Sequence, residues 1–311
     1  MSIEDVISRL TKLDHPLNFH QPVQMSNDIA AYLKFYGLDI KGVEFNLGKL
    51  EIDKTEIAVQ IFTPEKSEAT IFLLHGYLNH VGHLNKIIQH LTSHHYRVIS
   101  YDLQGHGLSN GDRASVSSFA DYVTTLEKLM EKVKAEMPDP FYVIGHSTGG
   151  AIILDYLLKH RTHPFDKVIL LAPLVRSNHW YLTKIAYSFV QLIPFIKQVK
   201  RQIKKRAMSK EYVAFLKRDP LQPKAIPLSW LRALMEWNQT IHRYPPLATD
   251  LFVIQGNKDD TVEWTYNLPF IHKRFCNART VLIDEGQHEL INDDPATREI
   301  VLTKIVNFLD D

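Results

Sequence analysis

The stretch FYVIGHSTGG, residues 141–150, constrains this chain more than any other. Phe141-Tyr142-Val143-Ile144 is a short apolar, β-favouring run. Gly145-His146-Ser147-Thr148-Gly149 follows with no spacer, and Gly150-Ala151-Ile152-Ile153-Leu154 opens a helix-like pattern. Strand, G-x-S-x-G and helix in that order predict a nucleophile elbow. So sharp a turn needs small residues on both sides of the serine, and Gly145 and Gly149 have no Cβ to clash. Ser147 is then expected at the carboxyl end of a strand, its Oγ exposed and a helix N-terminus behind it.

Strand-like and helix-like segments alternate around this elbow. Apolar, β-branched runs fall at 56–62, 70–74, 97–101, 141–144, 167–172, 251–255 and 279–283. The first ends at Thr63-Pro64 and reads as an early strand near an edge. Helical patterns lie between them, as at 83–93, 119–136 and 151–159. The alternation predicts an α/β fold with a mostly parallel sheet and helices on both faces. Ligands then bind beyond the carboxyl ends of the strands. From 176 to 246 no strand is expected, only helix-like runs broken by Pro194, Pro220, Pro223 and Pro227. That interval reads as a helical cap over the serine. The expected organisation is a core from 1–175, a cap from 176–246 and the rest of the core from 247–311. Residues 1–45 form an extension of unassigned role.

A serine hydroxyl near pH 7 needs a base within hydrogen-bond reach and an acid to orient that base. In this architecture the chain order is Ser, then Asp or Glu, then His. The run LFVIQG (251–256) leads into Asn257-Lys258-Asp259-Asp260, and RTVLIDE (279–285) leads into Gly286-Gln287-His288. His288, in the first turn after the last strand, is the expected general base despite the chain's 16 histidines. Asp259 is the expected orienting carboxylate, with Asp260 its rival. Asp284 is disfavoured, being at the end of a strand and too near His288. The reaction's oxyanion needs two backbone N–H donors. Thr148, after the nucleophile, supplies one, and Tyr77, in the loop after 70–74, supplies the other, with its side chain near the acyl pocket. His75, Gly76 and His146 are expected to line the substrate site.

Composition narrows the classes. Lys+Arg and Asp+Glu nearly cancel, 36 against 35, so the chain lacks the charge imbalance of a nucleic-acid binder. A hydrophobic content of 45% is ample for a large core. The single cysteine, Cys276, rules out an internal disulfide and fits a reducing compartment. No apolar run approaches the ~18 residues of a membrane span, and the N-terminus has no apolar signal core. A cytoplasmic location is expected, with peripheral contact at the membrane.

Four motifs together resemble the α/β-hydrolases, in the branch of monoacylglycerol lipases and bacterial lysophospholipases. HGYLNHVGHL (75–84) resembles that family's oxyanion loop and YDLQGHGLSNG (101–111) its D-x-x-G-H-G-x-S segment. GHSTGG (145–150) resembles its elbow, and QGNKDDTV (255–262) its G-x-x-D-x-x-V acid loop, which favours Asp259 over Asp260. The resemblance runs from about residue 45 to the C-terminus. It departs at Tyr77-Leu78-Asn79, where the family usually has smaller residues. It implies that Asp102, Gly105, His106 and Gly107 shape a loop beneath the site, with His106 structural. It further implies a serine esterase acting on a monoacylglycerol or lysophospholipid, with no metal or organic cofactor. A short-chain carboxylesterase, a peptidase and a non-catalytic binding protein remain alternatives. Dehalogenases and epoxide hydrolases, which carry aspartate at the elbow, are disfavoured.

The cap has its own charge. From 176 to 218 there are eleven Lys/Arg against one acid, Glu211. Leu182, Ile185, Ala186, Phe189, Val190 and Ile193 share one helical face. Beyond Pro194, Phe195, Ile196, Val199 and Ile203 interleave with Lys197, Lys200, Arg201, Lys204, Lys205 and Arg206. Two readings stand. One is a basic amphipathic helix on an anionic membrane. The other is a cap helix with its apolar face on the core and its basic face in water.

Overall fold

The computed structural model describes residues 2–193, 195–201 and 208–311. Two helices, α1 (Ile3–Thr11) and α2 (Asn27–Tyr36), precede an antiparallel pair, β1 (Val43–Ile52) and β2 (Thr55–Pro64). The alternating core follows: β3 (Ala69–Leu74), α3 (Asn85–Ser93), β4 (Tyr96–Tyr101), α4 (Phe119–Glu136), β5 (Phe141–His146), α5 (Thr148–Lys159) and β6 (Phe165–Leu171). The cap segment carries α6 (Trp180–Val190), β7 (Gln198–Lys200), α7 (Lys210–Arg218), β8 (Ala225–Pro227) and α8 (Leu228–Ile241). The core closes with β9 (Leu251–Gly256), α9 (Trp264–Arg274), β10 (Ala278–Ile283) and α10 (Pro295–Asp310).

The main sheet has eight strands in the order β1-β2-β4-β3-β5-β6-β9-β10. β1, β2 and β4 run antiparallel to their neighbours in turn, and from β4 onward every pairing is parallel. Strands buried on both faces read as continuous apolar runs, and β3, ATIFLL, is buried at every position. Its side chains alternate between two cores. Phe72 and Leu74 join α4, α5 and α8 on one face; Ile71 and Leu73 join α2, α3 and α10 on the other.

Three features depart from the sequence reading. The run at 56–62 lies near an edge as expected, but the edge strand itself, β1, was not foreseen, because Asn46, Gly48 and Lys49 interrupt the apolar alternation that would have marked it. The cap contains a short antiparallel ladder, β7 with β8, whose strands of three residues are too brief for a periodicity to register. Residues 195–201, the described part of the basic stretch beyond position 194, form a turn and β7 and not a helix. Ile203, Lys204, Lys205 and Arg206 lie outside the described residues.

The N-terminal extension packs on the core. Val6, Ile7, Leu10, Ile29, Tyr32, Leu33 and Tyr36 are buried, and Tyr32 accepts a 2.9 Å hydrogen bond from Gln60 Nε2. Residues 15–17 lie beside β1: Leu17 N–H donates to Lys49 O at 3.0 Å, and Lys49 N–H to His15 O at 2.7 Å. They thereby occupy the hydrogen-bonding groups of an edge strand that would otherwise invite another chain. Gly48 lets them approach, since a Cβ there would collide with the Leu17 backbone. Backbone cannot move aside as a side-chain tip can. Gly48→Ala is therefore expected to destabilise by about 1–3 kcal/mol, lowering the thermal midpoint by a few degrees in a melting experiment. An unchanged midpoint would show that the 15–17 segment is not held against β1.

Candidate active site

Ser147 sits between β5 and α5 at φ 51 and ψ −111, a backbone region that non-glycine residues rarely occupy. The surroundings fix it there. Ser147 N–H donates to Leu171 O at 2.9 Å, and its carbonyl accepts Ala151 N–H at 3.0 Å and Leu174 N–H at 3.1 Å. A Cβ at Gly145 would strike Ile153 and the Gly149 backbone; one at Gly149 would strike Leu74 and the His75 carbonyl. Gly76 belongs to the same requirement, because its own Cβ would press on His146 and Ser147.

The chain brings Ser147, His288 and Asp259 into one hydrogen-bonded line. Ser147 Oγ lies 3.0 Å from His288 Nε2, and His288 Nδ1 lies 2.7 Å from Asp259 Oδ2. Asp259 also accepts Thr261 N–H at 2.8 Å, Val262 N–H at 3.1 Å and Gln255 Nε2 at 3.1 Å. Burial alone would raise its pKa, but His288 and the two N–H donors outweigh burial and hold it below the ordinary carboxylate value. The mirror effect acts on His288. Burial disfavours the imidazolium, yet Asp259, with Glu289 and Asp260 behind it, raises the His288 pKa above 6.5. Asp260 lines the cavity instead of orienting the base, and Asp284 accepts from Asn257 Nδ2 on the exposed side.

Among the described residues, the N–H groups of Tyr77 and Thr148 bond to no protein acceptor, and both residues line the cavity at Ser147. The Tyr77 ring stacks on Trp230 of α8, centroids 3.5 Å apart and 9° from parallel, and its hydroxyl donates to Ala114 O at 2.7 Å. Gly76 and His146 also line the cavity. His146 Nε2 lies 3.0 Å from the His288 carbonyl, so it steadies the backbone of the base.

His75 does not reach the substrate site. Its ring is fully buried, Nδ1 at 2.7 Å from Gly76 O and Nε2 accepting Leu103 N–H at 2.9 Å. Both nitrogens are used in joining the oxyanion loop to the 101–111 segment. That segment is held by Asp102, whose carboxylate accepts Val81 N–H at 2.8 Å and Leu108 N–H at 2.7 Å. His106 is buried too, with its pKa pulled down to about 3 chiefly by burial.

Three groups at the site were not evident from sequence. Asp219, just after α7, accepts His80 Nε2 and His83 Nε2, each at 2.9 Å, Tyr36 OH at 2.7 Å and Leu221 N–H at 2.9 Å. This carboxylate ties the cap, the oxyanion loop and the N-terminal extension together. Burial would raise its pKa, but the two histidines hold it far below the usual range. The H-x-x-H spacing at 80–83 was visible, but nothing local pointed to an acid more than 130 positions away. Glu289 follows the base, takes the Asn79 side-chain amide at 3.2 Å and lines the cavity. Arg201 enters the cavity from the cap instead of lying on a solvated basic face.

The His80, His83 and Asp219 ligand atoms are close enough together to suggest a metal site. The hydrogen bonds argue otherwise. His80 Nδ1 accepts Gly82 N–H at 3.1 Å, so its proton resides on Nε2, facing Asp219. A ligating Nε2 would have to lose that proton with no second nitrogen free to take it. The cluster is a clasp.

The cavity at Ser147 has a volume of ≈ 350 Å³. Its apolar wall comes from Leu174 of the core and from Ile226, Trp230, Leu231 and Leu234 of the cap. Among the described residues no helix is long and apolar enough to cross a membrane.

Comparison with known proteins places these features in context. The Hydrolase_4 family model, described as serine aminopeptidase S33, matches residues 65–295. The rat monoglyceride lipase is 32% identical over 130 residues, 42% of this chain and 43% of that protein. The matched stretch therefore spans less than half of that relative. The monoacylglycerol lipase of Mycolicibacterium smegmatis is 27% identical over 210 residues, 65% of this chain and 75% of that protein. A soluble variant of the Saccharomyces cerevisiae monoglyceride lipase, solved with a substrate analogue, superposes with a TM-score of 0.72 at 18% identity. It covers 85% of this chain and 94% of that one. The Paleococcus ferrophilus monoacylglycerol lipase gives 0.68 at 20% identity, covering 82% and 98%. The architecture is the α/β-hydrolase fold.

The electrostatics can be read directly. Imidazole titration by NMR is expected to place the His288 midpoint above 6.5, with His83 remaining neutral down to about pH 4. Asp259→Asn removes the charge that favours the imidazolium, so the His288 midpoint falls with it. Asp260→Asn is expected to move it much less. The reverse ranking would make Asp260 the acid.

Proposed function

The chain belongs to the Hydrolase_4 (serine aminopeptidase S33) family of α/β-hydrolases, and from that premise we propose that it cleaves a carboxylic ester of a single-chain lipid, a monoacylglycerol or lysophospholipid, through an acyl-enzyme. The observation that carries this reading is the apolar, cap-walled cavity opening on a serine hydroxyl 3.0 Å from a buried histidine. An acyl chain gains from burial against such a wall. The named activities of the rat and mycobacterial relatives support the same class.

In this mechanism Ser147 Oγ attacks the ester carbonyl while His288 Nε2 takes its proton. The Asp259 carboxylate stabilises the imidazolium and keeps the ring in the required tautomer. The Tyr77 and Thr148 N–H groups receive the oxyanion, helped by the N-terminus of α5. His288 returns the proton to the leaving alcohol. Water, activated by the same imidazole, then releases the fatty acid. No step calls for a metal or organic cofactor.

Ser147→Ala tests the assignment. It is expected to abolish labelling by a fluorophosphonate probe and to lower kcat by several orders of magnitude, as in serine proteases that lose the nucleophile, where the figure is of order 10⁶. Retention of more than a few per cent of turnover on long-chain monoacylglycerols would reject it. Preference for an aminoacyl amide over every lipid ester would favour a peptidase.

Access to lipid falls to α6. Only Trp180 of its eleven residues is buried, while Leu182, Ile185 and Phe189 are 65%, 55% and 67% exposed, and Phe195 beyond it is 92% exposed. Lys184, Lys197 and Lys200 are exposed alongside them. The apolar face expected either on the core or on a membrane is thus not on the core. We read it as the face that meets an anionic bilayer. Burying such a side chain is worth about 1.5–3 kcal/mol. Half of that at each of three positions still shifts partitioning more than tenfold. Leu182→Ser/Ile185→Ser/Phe189→Ser is therefore expected to cut co-sedimentation with anionic vesicles at least tenfold. Hydrolysis of a soluble short-chain ester should stay near wild type, because none of the three lines the cavity. Unchanged sedimentation would reject the membrane role.

A further inference from the structure

Arg201 sits one residue beyond β7. Its N–H donates to Lys224 O at 3.1 Å and extends the β7–β8 ladder, so its backbone is anchored. The side chain lines the cavity that contains Ser147 and His288. Its Nη1 is shielded from solvent and has no hydrogen-bond partner among the described residues. Leaving a buried donor of a charged group unpaired is costly. A guanidinium stays charged in such a place and presents a fork suited to carboxylate or phosphate.

The internal candidate for pairing is Glu289, which faces the same cavity. Among the described residues no ion pair within 4 Å joins it to Arg201, and its oxygens are engaged by Asn79 at 3.2 Å and Asn292 at 3.5 Å. The groups that act electrostatically on Arg201 are Tyr212, Glu289, Tyr77 and Asp219. Of these, Tyr77 and Glu289 line the same cavity as the guanidinium. An ester whose carbonyl lies at Ser147 therefore shares this cavity with the guanidinium.

We propose that Arg201 is a specificity-determining residue that binds an anionic group on the leaving alcohol, the phosphodiester of a lysophospholipid headgroup, while the ester carbonyl lies at Ser147. The inference rests on the lipid-ester reading above and chooses between its two substrate classes. The released fatty acid does not satisfy this role, since its carboxylate forms at the Tyr77 and Thr148 N–H groups. A monoacylglycerol presents only hydroxyls to the guanidinium.

The test compares the full chain with Arg201→Gln and Arg201→Lys. Values of kcat/KM are measured on dispersed 1-oleoylglycerol and 1-oleoyl-lysophosphatidylglycerol. Loss of a charge-assisted bond is expected to lower the ratio of lysophospholipid to monoacylglycerol turnover at least about tenfold in Arg201→Gln, mostly through KM. Arg201→Lys keeps the charge but loses the fork, so it should fall between. An equal effect on both esters would overturn the proposal and make Arg201 structural. So would a wild type that ignores the lysophospholipid while cleaving the monoacylglycerol. A parallel binding series separates this inference from the reaction itself. Non-hydrolysable ether analogues of the two lipids are titrated against the intrinsic tryptophan fluorescence, to which Trp230 in the cavity wall contributes, and inorganic phosphate is tested as a competitor. Selective, Arg201-dependent binding of the phospho-ether supports the proposal even if neither ester turns over, an outcome that would reject only the esterase reading. Inorganic phosphate binding as tightly as the phospho-ether would indicate a free-anion site and overturn the headgroup assignment.

Discussion

The backbone of one residue, held where L-amino acids seldom go, governs the design of this protein. A serine at φ 51 persists only if its surroundings over-determine it. β5 lies between β3 and β6 in the parallel part of the sheet, and the Leu171 carbonyl of β6 takes the Ser147 N–H. Glycines at 76, 145 and 149 let three chain segments converge there. The geometry lifts Oγ clear of its own backbone and aims the start of α5 at the same point. A flatter turn would satisfy local sterics and lose both.

Around this point the protein sorts its histidines by environment. His75, His83, His106 and His146 are all pushed toward the neutral form chiefly by burial. His288 is equally buried but has Asp259 at 2.7 Å, and its shift has the opposite sign. His83 also has a carboxylate at contact distance, that of Asp219, but His80 beside it opposes a second positive charge, whereas Glu289 and Asp260 add to the pull of Asp259 on His288. Those four imidazoles are thereby held toward the neutral form while they brace the loops.

The sequence exposed whatever depended on local pattern. The elbow needed contiguous residues, strands buried on both faces are unbroken apolar runs, and α4 spans 119–136 as its periodicity implied. That Ser147, Asp259 and His288 would meet could be expected because each follows a strand of the parallel part of the sheet, and their side chains lie in hydrogen-bond contact. What stayed hidden depended on distance in the chain or on orientation. β1 was obscured by Asn46, Gly48 and Lys49, residues that serve the extension packed beside it. His75 carried the expected motif, but only packing shows that both its nitrogens face inward. A run of cations on the cap reads as a surface until one of them, Arg201, is seen to point the other way.

The Asp219 clasp gives the molecule a way to monitor its own completeness. Its partners Tyr36 and His80 stand 183 and 139 positions away, so it closes only after most of the chain has been made and folded. Until then the loop bearing Tyr77 lacks its tether, and the nascent chain carries a serine with an unfinished oxyanion site. Here the acid that tethers the loop bearing Tyr77 comes from the segment between β6 and β9, so two distant parts of the chain must be in place before that loop is held.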